Sequence, residues 1–281
     1  MPSLLIAGGL TIDHFADGTR APGGSVLHAG LAAVAEGAKL TVLTVAGDEP
    51  EAADGLARLE GLGTVLRRPT PTTTAYAHRE VDGVRLLTLE AASESVDPTM
   101  LAGHGPFDVV LLAPIADELP PRVVAALRDA ARARCTVFLI QGWLRRLQLH
   151  ETVGALAIDE VPAELWHSFA TANAIVVSTE DLSADPGDPF TQAAALRGRL
   201  GPRPVLVLTL GVEGYLLDDP AADRVVASVP RRVVQRVPAV GAGDTFGAAL
   251  AIHLAGGDDP ATAAVAATDR VIAVLEARSQ A

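Results

Sequence analysis

Val240-Gly241-Ala242-Gly243-Asp244-Thr245-Phe246-Gly247-Ala248-Ala249-Leu250 decides how the rest of this chain is read. Three small residues run straight into an acid, and segment 245–255, rich in alanine, then has the composition of a buried helix with Gly243 near its first turn. Backbone N–H groups at a helix start have no intrahelical acceptors, and the helix dipole adds about half a positive charge there, so a phosphoryl-like anion can rest against residues 241–244. Only near-absent side chains, as at Gly241, Ala242 and Gly243, allow so close an approach. Asp244 would repel a resting phosphate, which leaves the acid separate work: taking the proton from an attacking hydroxyl as a general base. The purely structural reading makes Asp244 a helix N-cap, where Asp is favoured.

The chain has 281 residues, 49% hydrophobic and 20% charged, enough to bury a sizeable core, and no linker-like stretch divides it. One large α/β domain spanning 1–281 is the expectation. A formal net charge of −12 argues against broad binding to nucleic acid or acidic membranes, which needs a basic footprint. A single cysteine leaves no disulfide framework and no thiol cluster for zinc, and suits a reducing cytosol. With no signal-peptide pattern and no apolar stretch of about 18 residues, a cytoplasmic protein is expected. Lys39 is the one lysine and follows Gly37-Ala38 without a Gly-rich turn, which argues against P-loop chemistry, so any phosphate clamp must be arginine, backbone or metal.

The run from Ser3 to Gly9 reads as a buried strand opening into a loop at a Gly pair, but its spacing is not G-x-G-x-x-G, so the dinucleotide fingerprint fails. Asp13 follows, then Pro22-Gly23-Gly24-Ser25 and a small-residue helix over 26–36. In open α/β sheets ligands sit at the carboxyl ends of strands, which puts Asp13 and the glycines on the ligand side. A carboxylate can accept from two adjacent hydroxyls, and glycines let a flat polyol approach the backbone. The bland alternatives are a turn Asp and a glycine hinge. Beyond a strand at 40–47 and a helix at 50–60, segments 72–80 and 84–90 are β-prone and joined around Asp82-Gly83, the strongest hairpin signal in the chain. From Asp108 onward strands (109–113, 136–141, 174–178, 205–210) alternate with helices (121–132, 163–172, 189–200), which predicts a mostly parallel sheet covered on both faces.

Strand ends in such a sheet carry the polar groups of interest. Gln141 and Arg145, in Gln-Gly-Trp-Leu-Arg, would project toward the same edge as Asp13, although an isolated Arg is usually solvated. Glu180 and Asp181, after Ser178-Thr179, can hold waters of a hydrated Mg²⁺. Thr209-Leu210-Gly211-Val212-Glu213-Gly214 reads by itself as a hairpin with glycines at positive φ. Asp259-Pro260 reads as an N-cap and first-turn proline for a terminal helix reaching 277.

Gly241-Ala242-Gly243-Asp244-Thr245-Phe246 and the small residues after it closely resemble the C-terminal signature of the ribokinase-like (PfkB) carbohydrate kinases, and Asp13 with Gly23-Gly24 resembles that family's substrate half. The resemblance implies a three-layer α/β/α fold with a mostly parallel central sheet, and a β-lid over the site from about 12–22 and 72–90. The lid is reduced, since eight residues separate Asp13 from Pro22. It implies ATP and Mg²⁺, the Gly241–Asp244 loop as anion hole, Asp244 as catalytic base, and substrate contacts from Asp13, Gly23 and Gly24. His28 aligns where ribokinases place an Asn, a departure that makes it a further candidate for substrate contact. Gln141 and Arg145 look like a segment of a subgroup that includes inositol-type kinases. Ser178 and Asp181 align with an Asn-x-x-Glu pattern on the nucleotide side, leaving Glu180 as a competitor for metal, and Thr209, Gly211 and Gly214 align with the seat of the nucleotide phosphates and ribose. Pro238 stands six residues before the base, where many members carry an Asp of a monovalent-cation site, which implies little dependence on K⁺.

The expectation is therefore a kinase that phosphorylates a hydroxyl of a small polyol, a sugar or cyclitol, as a monomer or homodimer. A nucleoside kinase and a hydroxymethylpyrimidine-type kinase are the alternatives within the fold. A catalytically silent sugar- or nucleotide-binding regulator is the alternative of another class, and the intact Asp244 and anion loop argue against it.

Overall fold

The computed structural model describes residues 1–81, 84–234 and 237–280. Its strands are β1 (Ser3–Gly8), β2 (Thr11–His14), β3 (Arg20–Gly23), β4 (Lys39–Ala46), β5 (Gly63–Pro69), β6 (Thr74–Val81), β7 (Val84–Ala91), β8 (Val109–Ala113), β9 (Cys135–Leu139), β10 (Arg145–Arg146), β11 (Gly154–Ala155), β12 (Ala174–Ser178), β13 (Val205–Thr209), β14 (Tyr215–Asp219) and β15 (Arg224–Ser228). The helices are α1 (Ser25–Ala35), α2 (Pro50–Glu60), α3 (Pro121–Ala131), α4 (Ala163–Phe169), α5 (Pro189–Leu200), α6 (Ala242–Gly256) and α7 (Pro260–Ser279). No helix among the described residues is long and apolar enough to cross a membrane.

Nine strands form the central sheet in the order β15-β14-β13-β12-β9-β8-β1-β4-β5, parallel from β13 to β5 with β14 and β15 antiparallel at one edge. Strand β1 shows why the runs are continuously apolar: Leu4 and Ile6 enter a core shared with α1, α2, α6 and α7, while Leu5 and Ala7 enter the opposite core with α3, α4 and α5. A strand buried on both faces has no polar face to show, and each full burial of a Leu or Ile contributes about 1.5–3 kcal/mol. Three layers follow, as expected.

The strand order reverses at β1, whose neighbours are β4 on one side and β8 on the other. In open α/β sheets ligands bind outside the carboxyl ends of the strands at such a reversal, here beside the loops that follow β1 and β8. Helix α6 packs against α1, β8 and β9, and Asp244 in its first turn meets Gln141 just after β9, so the start of α6 stands at this edge of the sheet.

A second sheet, β3-β2-β6-β7, lies off the central one. Strand β2 pairs antiparallel with β3 and parallel with β6, and β6 pairs antiparallel with β7 with a bulge at Ala75/Tyr76. The pairing of Val81 with Val84 closes the expected hairpin, while its tip, Asp82-Gly83, lies outside the described residues. The outer edge of β7 is covered: His150 N–H donates to Leu89 O at 2.7 Å, Leu89 N–H to Glu151 O at 3.1 Å and Val153 N–H to Leu87 O at 2.8 Å.

Some boundaries move. Helix α6 starts at Ala242, three residues before the segment the composition marks, because Gly241 takes the cap at φ 76°. Strand β9 ends at Leu139 and a 3-10 turn, Ile140–Leu144, carries Gln141. Gly142 lets this turn pack closely on the exit of β8, since a Cβ there would stand 2.5 Å from the Pro114 carbonyl oxygen. Asp259 caps α7 as predicted, accepting from Ala261 and Thr262 N–H at 3.1 and 3.2 Å.

Candidate active site

Asp244 is the third residue of α6, one turn inside the cap, and only 6% exposed. Gly241 occupies the N-cap position with no side-chain cap bond, so the reading of Asp244 as a capping residue is set aside. Ala242 N–H is already used, donating to Ala239 O at 3.0 Å. This leaves the Gly241, Gly243 and Asp244 amides to face an anion, and a Cβ on Gly243 would meet nothing within 4 Å, so space stands open above the loop.

The other groups around Asp244 come from distant parts of the chain. Gln141 Nε2 donates to its Oδ1 at 3.2 Å. Burial pushes the Asp244 carboxyl above the usual carboxylate range, and His28, the Ser25 hydroxyl and Arg145 pull it back in that order. The His28 ring lies against the loop at 241–244, where a Cβ on Gly241 would be 2.2 Å from the imidazole Cγ, so this candidate for substrate contact stands beside Asp244.

On the second sheet, Asp13 is 7% exposed, with Thr11 Oγ1 donating to its Oδ1 at 3.2 Å and His78 Nε2 within 3.2 Å of the same oxygen. Phe15 packs on the His78 ring at 5.0 Å. Gly23 leaves the carboxylate uncovered, since a Cβ there would stand 2.3 Å from Asp13 Oδ2. Gly24 caps α1 at φ 94°, with its Cβ position 2.4 Å from the Gly9 carbonyl oxygen. Neither glycine is a mere hinge: one admits the carboxylate, the other a backbone crossing.

Arg145 joins the two sheets. Its Nη1 donates to Ile115 O at 2.8 Å, the same oxygen that accepts the Tyr76 hydroxyl at 2.9 Å, and its guanidinium stands 5.8 Å from the Tyr76 ring centroid. Glu118, buried, holds that loop by accepting from Ile115 and Ala116 N–H at 2.7 and 2.8 Å. Arg145 is thus built in, not solvated, and its charge reaches Asp181 and Asp244.

Ser178 and Thr209 are direct partners across β12 and β13 at the carboxyl edge. Asp181 accepts from Ser178 N–H at 3.1 Å while Ser178 Oγ accepts from Glu180 N–H at 3.2 Å, a reciprocal cap. Burial pushes the Asp181 carboxyl up to about 6, opposed first by Arg145 and raised further by Glu180 and Asp244. Gly211 and Gly214 take φ 59° and 105°, as a tight turn requires. A cleft of about 360 Å³ lies beside that turn, between Thr179, Gln192, Leu210 and Glu213. Among the described residues no group of three or more His, Cys, Asp or Glu is placed to hold a metal ion. One half-buried carboxylate beside the exposed Glu180 fits a hydrated Mg²⁺ held largely through water, not a dehydrated cage.

Residues 11–270 match the model of the pfkB family of carbohydrate kinases. The chain belongs to the PfkB family. Its fold is that of solved ribokinase-type kinases: a pyrophosphate-dependent kinase of the ribokinase family in complex with a pyrophosphate analogue and myo-inositol (TM-score 0.78, 18% identity, 97% of this chain and 94% of that one). Arabidopsis thaliana ribokinase with ribose and ATP gives a TM-score of 0.72 at 16% identity over 98% and 93% of the two chains. Fructokinase from Vibrio cholerae O395 gives 0.71 at 17% over 100% and 99%. No curated protein matches the chain. For a PfkB protein the loop at 241–244 was legible from sequence, whereas Ser25, Tyr76, His78 and Ile115 were not. Their only sequence signal is strand alternation, which puts Tyr76 and His78 on the face that Asp13 shares through the pairing of β2 with β6.

Proposed function

We propose that this PfkB protein transfers the terminal phosphoryl group of ATP to a hydroxyl of a small polyol, a sugar or cyclitol. The observation that carries the reading is the buried Asp244 in the first turn of α6, beside an amide loop whose glycines leave room for an anion. The acceptor hydroxyl lies within reach of Asp244, which takes its proton as the oxygen attacks phosphorus. A carboxyl raised by burial is a stronger base than a solvated one, and Gln141 fixes its orientation. The Gly241, Gly243 and Asp244 amides face the transferring phosphoryl oxygens, preorganised so that no solvent need reorient as charge develops. Asp13 receives acceptor hydroxyls, and Arg145 supplies positive charge between the carboxylates. Asp181 and Glu180 would hold Mg²⁺, whose chemistry when bound is to neutralise phosphate charge.

A second donor is favoured by one specific comparison: a structural neighbour is a pyrophosphate-dependent kinase bound to myo-inositol, and an anion loop grips a terminal phosphoanhydride whether or not a nucleoside follows. The test is a phosphoryl-transfer screen with ATP and pyrophosphate as donors across sugars, cyclitols and nucleosides, with Asp244→Asn as blank. Transfer to a polyol that the blank lacks supports the reading. Transfer to nucleosides alone, or none with either donor, overturns it.

A further inference from the structure

Arg278 lies in the last turn of α7, and its Nη1 donates to two carbonyls immediately ahead of the anion loop, Val240 O at 2.7 Å and Pro238 O at 3.3 Å. A basic residue at a helix end ordinarily answers its own helix's terminal carbonyls. Arg278 reaches out of its helix instead. Two carbonyl oxygens converging on one point make a cation site, and here the cation is a guanidinium fixed on a helix. The same helix grips the preceding segment twice more, Asp269 with Arg231 at 3.6 Å and Glu276 with Arg232.

The Val240 carbonyl and the Gly241 N–H belong to one peptide group, so a positive charge on the oxygen polarises the N–H on the other side of the bond. That N–H is the first donor of the anion loop. We propose that Arg278 is a positioning residue for this loop: it sets the Val240–Gly241 peptide plane, strengthens the Gly241 donor, and fills with a side chain a carbonyl site that would otherwise attract a free monovalent cation. The proposal rests on residues 241–244 being the anion hole of the phosphoryl transfer inferred above.

Calorimetric titration of the full chain with inorganic pyrophosphate and, separately, with the non-hydrolysable ATP analogue AMP-PNP reads the loop directly. Arg278→Ala should weaken the probe that wild type binds by about tenfold or more, the usual consequence of losing a charged hydrogen-bond donor. Millimolar methylguanidinium should restore part of the loss, and Arg278→Gln, which keeps a donor without the charge, should fall between. The glutamine variant also serves if the alanine variant does not fold. In the transfer assay, wild type should turn over equally in potassium and in tetramethylammonium, whereas Arg278→Ala should become potassium-activated because its carbonyl site is vacated.

Unchanged affinity in Arg278→Ala, wild-type affinity in Arg278→Gln, or a potassium response of wild type would each overturn the proposal. A blocking substitution on the loop, Gly243→Glu, separates the two levels of inference. If it abolishes probe binding while Arg278→Ala does not, Arg278 alone is wrong. If wild type binds neither probe, the anion hole itself falls and the proposal with it.

Discussion

Replacing Gly241 with alanine tests the site's geometry most directly, because two independent penalties meet at one atom. Gly241 has φ 76°, where an L side chain costs about 1–2 kcal/mol. The added methyl would also stand 2.2 Å from Cγ, 2.5 Å from Cδ2 and 2.6 Å from Nδ1 of His28, so the imidazole must move. Overpacking of this kind costs about 1–3 kcal/mol. Gly241→Ala should therefore destabilise by about 2–5 kcal/mol, a large share of the roughly 5–15 kcal/mol typical of a folded protein. The two terms separate in a double-mutant cycle: with His28→Ala in the background the steric part disappears, and about 1–2 kcal/mol of backbone strain remains. Urea unfolding followed by circular dichroism measures all four corners. A Gly241→Ala cost below about 0.5 kcal/mol would refute the left-handed cap. A coupling energy near zero would show that His28 does not lie against the loop.

Three further outcomes are expected. Asp244→Asn should fold normally and lower turnover by about 10²–10⁴, the range for a general base, and turnover within threefold of wild type removes the assignment. Asp13→Ala should weaken polyol binding by about 1–3 kcal/mol while leaving the donor untouched, because the partner hydroxyl is left unsatisfied; calorimetry with both ligands reads this, and equal losses for donor and acceptor contradict it. Asp181 has a folded-state pKa raised from 3.8 to about 6, so its protonated form favours folding below about pH 4 and that contribution is lost as pH rises through about 6. Asp181→Asn should consequently match wild type near pH 4 and exceed it near pH 7 by about 1–3 kcal/mol, and a stability difference independent of pH would show the carboxyl to be solvated.

Much of the architecture was legible because it rests on local rules. Buried parallel strands must be apolar on both faces, so β1, β4, β8, β12 and β13 announced themselves as Val, Leu and Ile runs, and Asp259-Pro260 marked the start of α7. Strands β5 and β15 escaped notice for the same reason inverted. They lie at the edges of the sheet, and β5 carries Arg67 and Arg68, whose guanidiniums bond Ala46 O, Gly47 O and Ser95 O after folding but look like loop residues before it. The small-residue loop at 241–244 was equally plain, since a glycine cap and the acid in the first turn of the helix are separated by three positions of chain.

What the sequence by itself determined is therefore the layered α/β class, the small-residue helix that follows Gly241, and the choice of Asp244 as its acid. Tertiary structure alone decided what surrounds that acid. Gln141 lies 103 positions from Asp244, His28 and Arg145 act on the same carboxyl from a helix and a short strand, and Arg278 bonds Val240 O from the last turn of α7. A parallel sheet gathers strand ends and helix starts from all along the chain at one edge, so residues with no common period become neighbours there. Periodicity reports which face of an element is buried; it holds no record of which other element's side chain will stand beside it, as Gln141 stands 3.2 Å from Asp244.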